Sequence, residues 1–539
     1  TGYTVMVKGK DVWGTWLQRD MEERQIGNRT VYTFSKMKNS FYEMLCDTAT
    51  KYPDKIGIVD NWNREYTYQK FLEMVNQLAA YMKHILKVEK GNHIGLLLNN
   101  GIEFATAIYA VCKLGAVAVP LPTKYREPEI QSLVKKADLK FIFVSEDYKV
   151  WTSFYTECGI KVILTENEKT EYGFTYLAMQ KEKEESGEGE LEDEVILMFT
   201  SGTTSTSKGV ILKNYNINHA VMIYQRILEL GEDDRTIIPV PIYHITGLVA
   251  LLGLFVYIGG TVYLHKRYDA YRILSAIQEH EITFLHGSPT VFGLLLELKN
   301  KFSKNESIRV LACGSSYMPV ETMMKLHQWM PQMTFHRIYG MTETSSPATI
   351  FPSDAATSIY AKAQGKPIPG MELKIVDDSG KEVPCKEIGN VQLKGTNICE
   401  SYYHIEKSPI DKEGWLDTGD MGYLNEDSYL YIVDRKKDMI NRGGEKIWCN
   451  DVENEITSLK GVKESALVGI PSEKYGEVAA AVVVLEKESK LTEEDIKQKL
   501  HDRIAKYMIP EKILFLEKIP KTPGLKTDKR AIRALFFPE

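Results

Sequence analysis

Residues 195–210 read VILMFTSGTTSTSKGV, an apolar run that leads directly into a loop of hydroxyl side chains, glycines and one lysine. The apolar run predicts a buried strand at 195–199. Glycine lets the backbone approach a ligand and point its N–H groups inward, while the hydroxyls add donors and Lys208 adds a charge. This pairing of strand and loop predicts a phosphate-binding loop, although ordinary surface loops also share the composition. The order of residues is not the P-loop pattern G-x-x-x-x-G-K-[ST].

Length and composition bound the class of protein. A chain of 539 residues exceeds a single core of usual size, so two or more domains are expected. The net charge of −6 argues against a broad nucleic-acid-binding surface. The seven cysteines are scattered without a C-x-x-C pair, which favours free thiols in a reducing compartment. No signal peptide is visible among the first residues, so the prediction is a cytoplasmic protein.

One stretch, Ile245–Leu264, contains no charged residue and is long enough to span a bilayer. Gly259 and Gly260 interrupt it. The pattern therefore favours a buried helix up to Ile258 and a strand at 261–264, rather than a membrane span.

Helical and strand patterns alternate through the first four-fifths of the chain, which predicts α/β layers. A helix at 103–114 is followed by a strand at 116–119, and short buried strands follow at 141–144 and 162–164. The prediction is a large multi-layer N-terminal domain, residues 1–436.

A second unit begins at Lys437 and shows an α+β pattern. Helices are predicted at 452–459 and from Thr492, and strands at 466–470 and 479–485. About a hundred residues suffice for a small domain, so residues 437–539 are predicted to form one.

Three further segments carry polar residues with possible chemistry: YGMTET at 339–344, WLDTGD at 415–420 and DRKKD at 434–438. Glu343 is a hard oxygen ligand of the kind that suits Mg²⁺, and Tyr339 could stack on a planar group. Taken singly, each segment is more simply a turn or a solvated charge cluster.

Together these segments resemble motifs of the adenylate-forming superfamily, which contains acyl-CoA synthetases, adenylation domains of peptide synthetases and luciferases. The phosphate-loop segment and the three segments above occur in that family's order and approximate spacing. RGGEKI at 442–447 and PKTPGLKTDK at 520–529 extend the match, so that the resemblance covers about 41–533.

The resemblance implies an ATP site and a role for each matching residue. The β- and γ-phosphates would be held by Thr200, Ser201, Gly202, Thr203, Thr204 and Lys208. The adenine would be flanked by Gly314, Ser315 and Ser316, and by Tyr339 in a turn with Gly340 and Met341. Asp420 would bind the ribose hydroxyls, with Arg435 beside it.

The same resemblance implies the catalytic groups. Thr342 would reach the α-phosphate, Glu343 would bind Mg²⁺, and Lys526 would bridge the acid's carboxylate and the α-phosphate. His244 stands where the family often gates the acid pocket, although an isolated histidine after an apolar run is also an ordinary core residue. Residues 286–292, 314–315 and 345–350 would line the acid pocket itself.

The resemblance also implies a movement of the small domain about Lys437 between two half-reactions. In one pose Lys526 would enter the site. In the other, a CoA-binding segment would line the thiol's tunnel: Arg442, Gly443, Gly444, Glu445 and Lys446.

The chain departs from the family pattern at three positions. Ser205 and Ser207 stand where glycine and proline are usual, which predicts a looser loop and weaker ATP binding. Leu525 stands where glycine usually precedes the lysine, yet Lys526 remains the better match than Lys529.

The leading interpretation is an acid–CoA ligase that uses ATP, Mg²⁺ and coenzyme A to convert a carboxylic acid, fatty or aryl, into acyl-CoA, AMP and pyrophosphate. One alternative is a stand-alone adenylation enzyme that loads a carrier protein's phosphopantetheine. A second is a nucleotide-binding protein with impaired turnover, motivated by Ser205, Ser207 and Leu525.

Overall fold

The computed structural model describes residues 6–165, 189–200, 207–405, 407–522 and 525–537. Four sheets and one separate hairpin organise these residues. The first sheet has seven strands and is largely parallel away from one edge. In lateral order its strands are Tyr402–Tyr403, Gly209–Lys213, Glu194–Phe199, Val117–Pro120, His93–Leu97, Phe141–Val144 and Lys161–Leu164.

The second sheet has nine strands, and its central strands are parallel. In lateral order they are Lys366–Pro367, Ser346–Ile350, Thr334–Met341, Val310–Cys313, Phe284–Gly287, Arg235–Ile238, Thr261–Leu264, Ile56–Val59 and Glu65–Thr67.

An antiparallel five-stranded sheet completes the large part of the chain, with a separate hairpin of Met21–Ile26 and Arg29–Phe34. The strands of that sheet, in lateral order, are Val7–Lys8, Met371–Val376, Gly389–Gly395, Leu416–Leu424 and Leu430–Arg435.

The helices that cover these sheets begin at capping residues where the sequence supplies them, as at Ser40 and Asp269, whose side chains accept from the first turn. The α-helices of this part are Phe41–Lys51, Tyr68–His84, Ile102–Lys113, Glu127–Ala137, Thr152–Glu157, Asn214–Leu228, Leu254–Ile258, Ala270–His280, Pro289–Leu296 and Val320–Trp329, with a π-type segment at Thr246–Gly253. The shorter 3₁₀ turns are Gly9–Asp11, Glu146–Trp151, Thr342–Thr344 and Ala355–Thr357.

The uncharged stretch from Ile245 to Leu264 lies in the core, as predicted. It forms the π-type segment, a short helix that ends at the left-handed Gly259, and the strand Thr261–Leu264. The buried Tyr68 hydroxyl donates to the carbonyl oxygens of Phe255 and Gly260, which satisfies the backbone at this break. Across the described ranges, no helix combines the length and apolar character needed to cross a membrane.

A last sheet and its helices form the small part of the chain. Its strands are Glu445–Ile447, Ile440–Arg442, Gly476–Leu485 and Val462–Ser472, with Lys512–Phe515 pairing in parallel to Gly476–Leu485. Its helical elements are Cys449–Ser458, Glu493–His501, Lys506–Met508 and Lys529–Leu535. The helix predicted from Thr492 begins with a capping box between Thr492 and Asp495. Two separate apolar clusters lie on the faces of this sheet. The predicted fold class, α/β with a large first domain and a small α+β second domain, is confirmed.

Candidate active site

Asp420 occupies the centre of a polar cluster on the strand Leu416–Leu424. The Tyr339 hydroxyl donates to Asp420 Oδ2 at 2.5 Å, and Arg435 Nε lies 3.5 Å from Asp420 Oδ1. Burial raises the pKa of the Asp420 carboxyl, and Arg435 partly offsets this. The fold therefore brings Tyr339 and Arg435, from two other motifs, to the buried carboxylate of Asp420.

A second carboxylate, Glu343, lies in the short turn Thr342–Thr344 and is held by a residue outside the predicted motifs. The Tyr402 hydroxyl donates to Glu343 Oε2 at 2.9 Å. The Lys208 ammonium lies 5.8 Å from the centre of the same tyrosine ring. Tyr402 thus links the end of the predicted phosphate loop to the predicted metal ligand.

Lys526 comes from the small part of the chain and reaches this cluster. Burial is the main cause that lowers the pKa of Lys526, and the charge of Arg435 lowers it further. The carboxylates of Asp420 and Glu343 raise this pKa and offset part of the shift. Burial lowers the pKa of His244 to about 3, and the charge of Lys526 contributes to this shift. Lys526 is therefore close enough to interact electrostatically with residues of three different motifs.

Lys529, another lysine of the segment 520–529, has a different setting. Its ammonium lies 3.0 Å from Glu453 Oε1 and 2.9 Å from the carbonyl oxygen of Leu467, both within the small sheet and its helix. Its contacts are structural, which agrees with the sequence-based choice of Lys526.

The predicted phosphate loop is described at its two ends. The strand Glu194–Phe199 pairs antiparallel with Gly209–Lys213, and the Thr200 N–H donates to the Lys208 carbonyl at 2.9 Å. The predicted phosphate ligands Ser201, Gly202, Thr203 and Thr204, and the departure Ser205, lie outside the described residues.

Ser207, one of the departures, makes a specific contact at the closed end of this hairpin. Its hydroxyl donates to the Thr200 carbonyl oxygen at 2.9 Å, and the Lys208 N–H donates to Thr200 Oγ1 at 3.0 Å. The serine side chain therefore ties the two ends of the loop together, a bond that proline could not make.

His244 follows a turn at Pro241 and lines a small pocket beside the loop. The backbone N–H of His244 donates to the Pro241 carbonyl at 3.1 Å, and the centre of its imidazole ring lies 4.7 Å from that of the Tyr243 ring. The pocket also contains Pro120, Pro122, Tyr125, Thr200 and Ser207. His244 therefore lies beside the described ends of the predicted phosphate loop.

The predicted adenine segment follows the strand Val310–Cys313. Gly314 is buried, while Ser315 and Ser316 are exposed, and Ser315 has φ +73°. Within the neighbouring motif, Gly340 is required by a close approach, because a Cβ there would lie 1.5 Å from the Ser346 carbonyl oxygen. Met341 contributes backbone, since its N–H donates to Thr344 Oγ1 at 3.0 Å.

The predicted CoA segment forms a hairpin of Ile440–Arg442 and Glu445–Ile447, with Gly443 and Gly444 at φ +58° and +95°. The Arg442 guanidinium stacks 3.7 Å from the centre of the Tyr475 ring, and Glu445 and Lys446 are exposed. Within the described ranges, the hydrogen bonds and ion pairs of this hairpin do not reach the Asp420 cluster. The structure therefore brings Lys526, and not the hairpin, to the site.

Leu525 adopts φ +64°, the left-handed conformation that glycine takes without steric cost, and its N–H donates to the Thr522 carbonyl at 2.9 Å. We expect Leu525→Val to lower the melting temperature relative to Leu525→Gly, by an amount equivalent to about 1 kcal/mol, because a β-branched residue tolerates this φ least. Thermal unfolding of the two full-length variants measures the difference. Equal melting temperatures would show that the turn relaxes to another conformation.

Tyr402 supplies a second prediction, on nucleotide binding. Tyr402→Phe removes the hydroxyl that donates to Glu343, and we expect the KM for ATP with Mg²⁺ to rise about tenfold while the KM for the acid changes little. Steady-state pyrophosphate release measures both constants. Tyr403→Phe is the matched control, because that hydroxyl bonds Asp138 at the surface. Equal effects of the two variants would contradict a specific role for Tyr402.

No chemical pattern in the sequence singles out Tyr402. The signal exists only in the fold, where Tyr402–Tyr403 adds an edge strand directly to Gly209–Val210, the residues that follow the loop.

Comparison with known proteins defines the class of this fold and site. The family model for AMP-binding enzymes matches residues 45–403, and the model for the AMP-binding enzyme C-terminal domain matches residues 451–526. The chain belongs to the family of AMP-binding enzymes.

Individual relatives narrow the class further. The 2-succinylbenzoate–CoA ligase of Bacillus cereus strain Q1 is 31% identical over 493 residues, which cover 90% of this chain and 96% of the relative. The o-succinylbenzoate CoA synthetase of Bacillus subtilis, solved with its acyl-adenylate intermediate, superposes with a TM-score of 0.79 at 28% identity, covering 94% of this chain and 99% of that one. Anthranilate CoA ligase AuaEII, solved with anthranoyl-AMP, gives a TM-score of 0.85 at 25% identity, covering 93% and 97%.

The chain is an AMP-forming acid–CoA ligase. It activates a carboxylic acid with ATP, releases pyrophosphate, and transfers the acyl group from the adenylate to coenzyme A.

Proposed function

We propose that the acid is an aryl acid and that the cluster of Asp420, Glu343 and Lys526 carries its adenylation. The observation that supports this assignment most directly is the electrostatic interaction of Lys526 with Asp420 and Glu343, which are distant from it in the sequence. The relatives named above act on aryl acids, which favours that class over the fatty acids that the sequence left equally open.

The adenylation step brings two anions together, the acid's carboxylate and the α-phosphate of ATP. Lys526, which interacts electrostatically with both carboxylates of the cluster, would offset this repulsion as the carboxylate oxygen attacks phosphorus and pyrophosphate leaves. Thr342 would donate to the α-phosphate, and Lys208 with the flanking loop would hold the departing β- and γ-phosphates. No covalent bond to a side chain is required.

Asp420 would accept hydrogen bonds from the two ribose hydroxyls, oriented by Tyr339 and Arg435. Tyr339, Gly314, Ser315 and Ser316 would enclose the adenine. His244 would separate the acid from the phosphate loop as an uncharged side chain, because burial and Lys526 hold its pKa far below neutrality.

The donor set fits Mg²⁺ carried by the nucleotide. Glu343 offers a hard carboxylate with one oxygen anchored by Tyr402. Groups of three or more potential protein ligands do not occur within the described part of the chain. This suits Mg²⁺, which usually takes one or two carboxylates and completes its shell with phosphate oxygens and water. When bound, Mg²⁺ would neutralise charge on the phosphates.

We propose a domain boundary at Lys437, giving a large domain of residues 1–436 and a small domain of residues 437–539. Lys437 is exposed and lies between the strands Leu430–Arg435 and Ile440–Arg442, which belong to different sheets. A connection that carries no sheet pairing can absorb a change in backbone angles.

In the described part of the chain, polar side chains bond across this boundary. Asn454 Nδ2 donates to the Tyr317 hydroxyl at 3.0 Å, and Lys325 pairs with Glu486 at 3.2 Å near the surface. We propose that the small domain rotates after adenylation, withdraws Lys526 and presents the Arg442–Lys446 hairpin to coenzyme A.

The deciding experiment is pyrophosphate release across benzoic, anthranilic, 2-succinylbenzoic and octanoic acids and phenylalanine, with hydroxylamine to trap the adenylate. Thioester formation with coenzyme A is then followed by mass spectrometry. We expect an aryl acid to give the highest kcat/KM and a CoA thioester. A fatty or amino acid as best substrate would overturn the aryl assignment, and an adenylate that transfers only to a carrier thiol would overturn CoA.

A further inference from the structure

Three buried polar side chains lie together behind the turn that holds Thr342 and Glu343. Tyr224 is 0%, His286 3% and Ser346 5% exposed. Tyr224 Oη and Ser346 Oγ are 2.6 Å apart, and the rings of Tyr224 and His286 meet edge to face with centres 6.0 Å apart. They come from a helix and two strands of the nine-stranded sheet, so only the fold unites them.

The backbone at Ser346 is held in an unusual conformation. Ser345 has φ +53° and Ser346 φ +104°, both in the left-handed region. Asn397 supports them, because its Nδ2 donates to the carbonyl oxygens of Thr344 at 2.6 Å and Pro347 at 2.7 Å. Strain that surrounding bonds enforce is typical of functional sites, and here it orients the Ser346 side chain toward Tyr224.

His286 is the unsatisfied member of the cluster. Its Nδ1 is buried and has no hydrogen-bond partner among the residues that the structure describes. Leaving a buried polar atom unpaired is destabilising, and a bound ligand or water is one explanation for such an atom in a native fold. The opposite ring nitrogen, Nε2, lies 3.7 Å from the position that a Cβ would take at Gly314, so the ring adjoins the predicted adenine turn.

The cluster is uncharged. Burial lowers the pKa of His286 to about 3 and raises that of Tyr224 well above its usual value. If the substrate acid carried a second carboxylate against these groups, that carboxylate would lose its hydration without gaining a counter-charge, which is strongly unfavourable. A neutral polar substituent could instead make the hydrogen bond that His286 Nδ1 lacks.

We infer that Tyr224, His286 and Ser346 recognise an uncharged hydrogen-bonding substituent of the aryl acid, such as a hydroxyl, keto or aromatic amino group, with His286 Nδ1 as its partner. This inference rests on the proposed aryl-acid function. The cluster sets specificity and takes no part in bond making, since it lies beside the motif turn and contains none of the adenylation groups.

The test compares kcat/KM for benzoic acid, the hydroxybenzoic acids and isophthalic acid in the intact enzyme. We expect the best hydroxybenzoic acid to exceed benzoic acid by about 10- to 100-fold in the wild type. His286→Phe should bring this ratio close to one, and His286→Asn, which places an amide near the Nδ1 position, should restore part of it. His336→Phe is the matched control for losing a buried histidine, because His336 already bonds the Phe351 carbonyl at 2.7 Å.

A wild-type ratio near one, an unchanged ratio in His286→Phe, or a preference for isophthalic acid would each overturn the inference. If His286→Phe does not fold, Tyr224→Phe probes the same ratio by deleting the hydroxyl that meets Ser346. Absence of pyrophosphate release with every aryl acid would instead refute the proposed function, so the two failures are distinguishable.

Discussion

Lys526→Ala is expected to lower the rate of pyrophosphate release about 100- to 1,000-fold, because it removes the cation that we propose lies between the two reacting anions. The loss should be smaller for thioester formation from a preformed acyl-adenylate, since the proposed rotation withdraws Lys526 before that step. Lys518→Ala is the matched control, because Lys518 is an exposed lysine just before the segment 520–529. Equal losses in both half-reactions would contradict the two-pose assignment.

The pH dependence of the same step follows from the environment of Lys526. Burial and Arg435 hold its pKa below the usual lysine value. The charge is therefore lost as the pH rises through that lowered pKa, and adenylation should decline at a lower alkaline pH than an ordinary lysine would give. Lys526→Arg should move this decline to higher pH in a pH–rate profile. A profile that does not respond to this substitution would assign the decline to another group.

Asp420→Asn is expected to raise the KM for ATP about 100-fold, because an amide replaces the buried carboxylate that we propose accepts from two ribose hydroxyls. Pyrophosphate release at varied ATP measures the change. Asp417→Asn is the control, since Asp417 is exposed on the same strand.

A nucleotide analogue makes this prediction specific. When 2′,3′-dideoxy-ATP replaces ATP, the KM of the wild type should rise by nearly as much as the Asp420→Asn substitution raises the KM for ATP. The KM of the Asp420→Asn variant should change little between the two nucleotides. If the variant still discriminates strongly between ATP and the dideoxy analogue, Asp420 does not bind the ribose.

Local patterns determined the elements that carry the motifs. The apolar run before the loop forms Glu194–Phe199, the uncharged stretch forms a buried helix and strand, and the Thr492 capping box starts its helix. Such features depend on residue type over a few neighbouring positions, so they can be predicted from the sequence alone. Family membership also followed from sequence, because ordered motifs need no coordinates.

Tertiary structure alone decided how those motifs meet. Asp420 and Tyr339 are distant in the chain yet bonded, and Tyr402 connects Lys208 to Glu343 although no local pattern distinguishes it. The unpaired Nδ1 of His286 likewise becomes visible only when its neighbours are placed. Residue type and spacing determine which groups can react, whereas burial, pairing and charge balance depend on long-range contacts that only the folded chain creates.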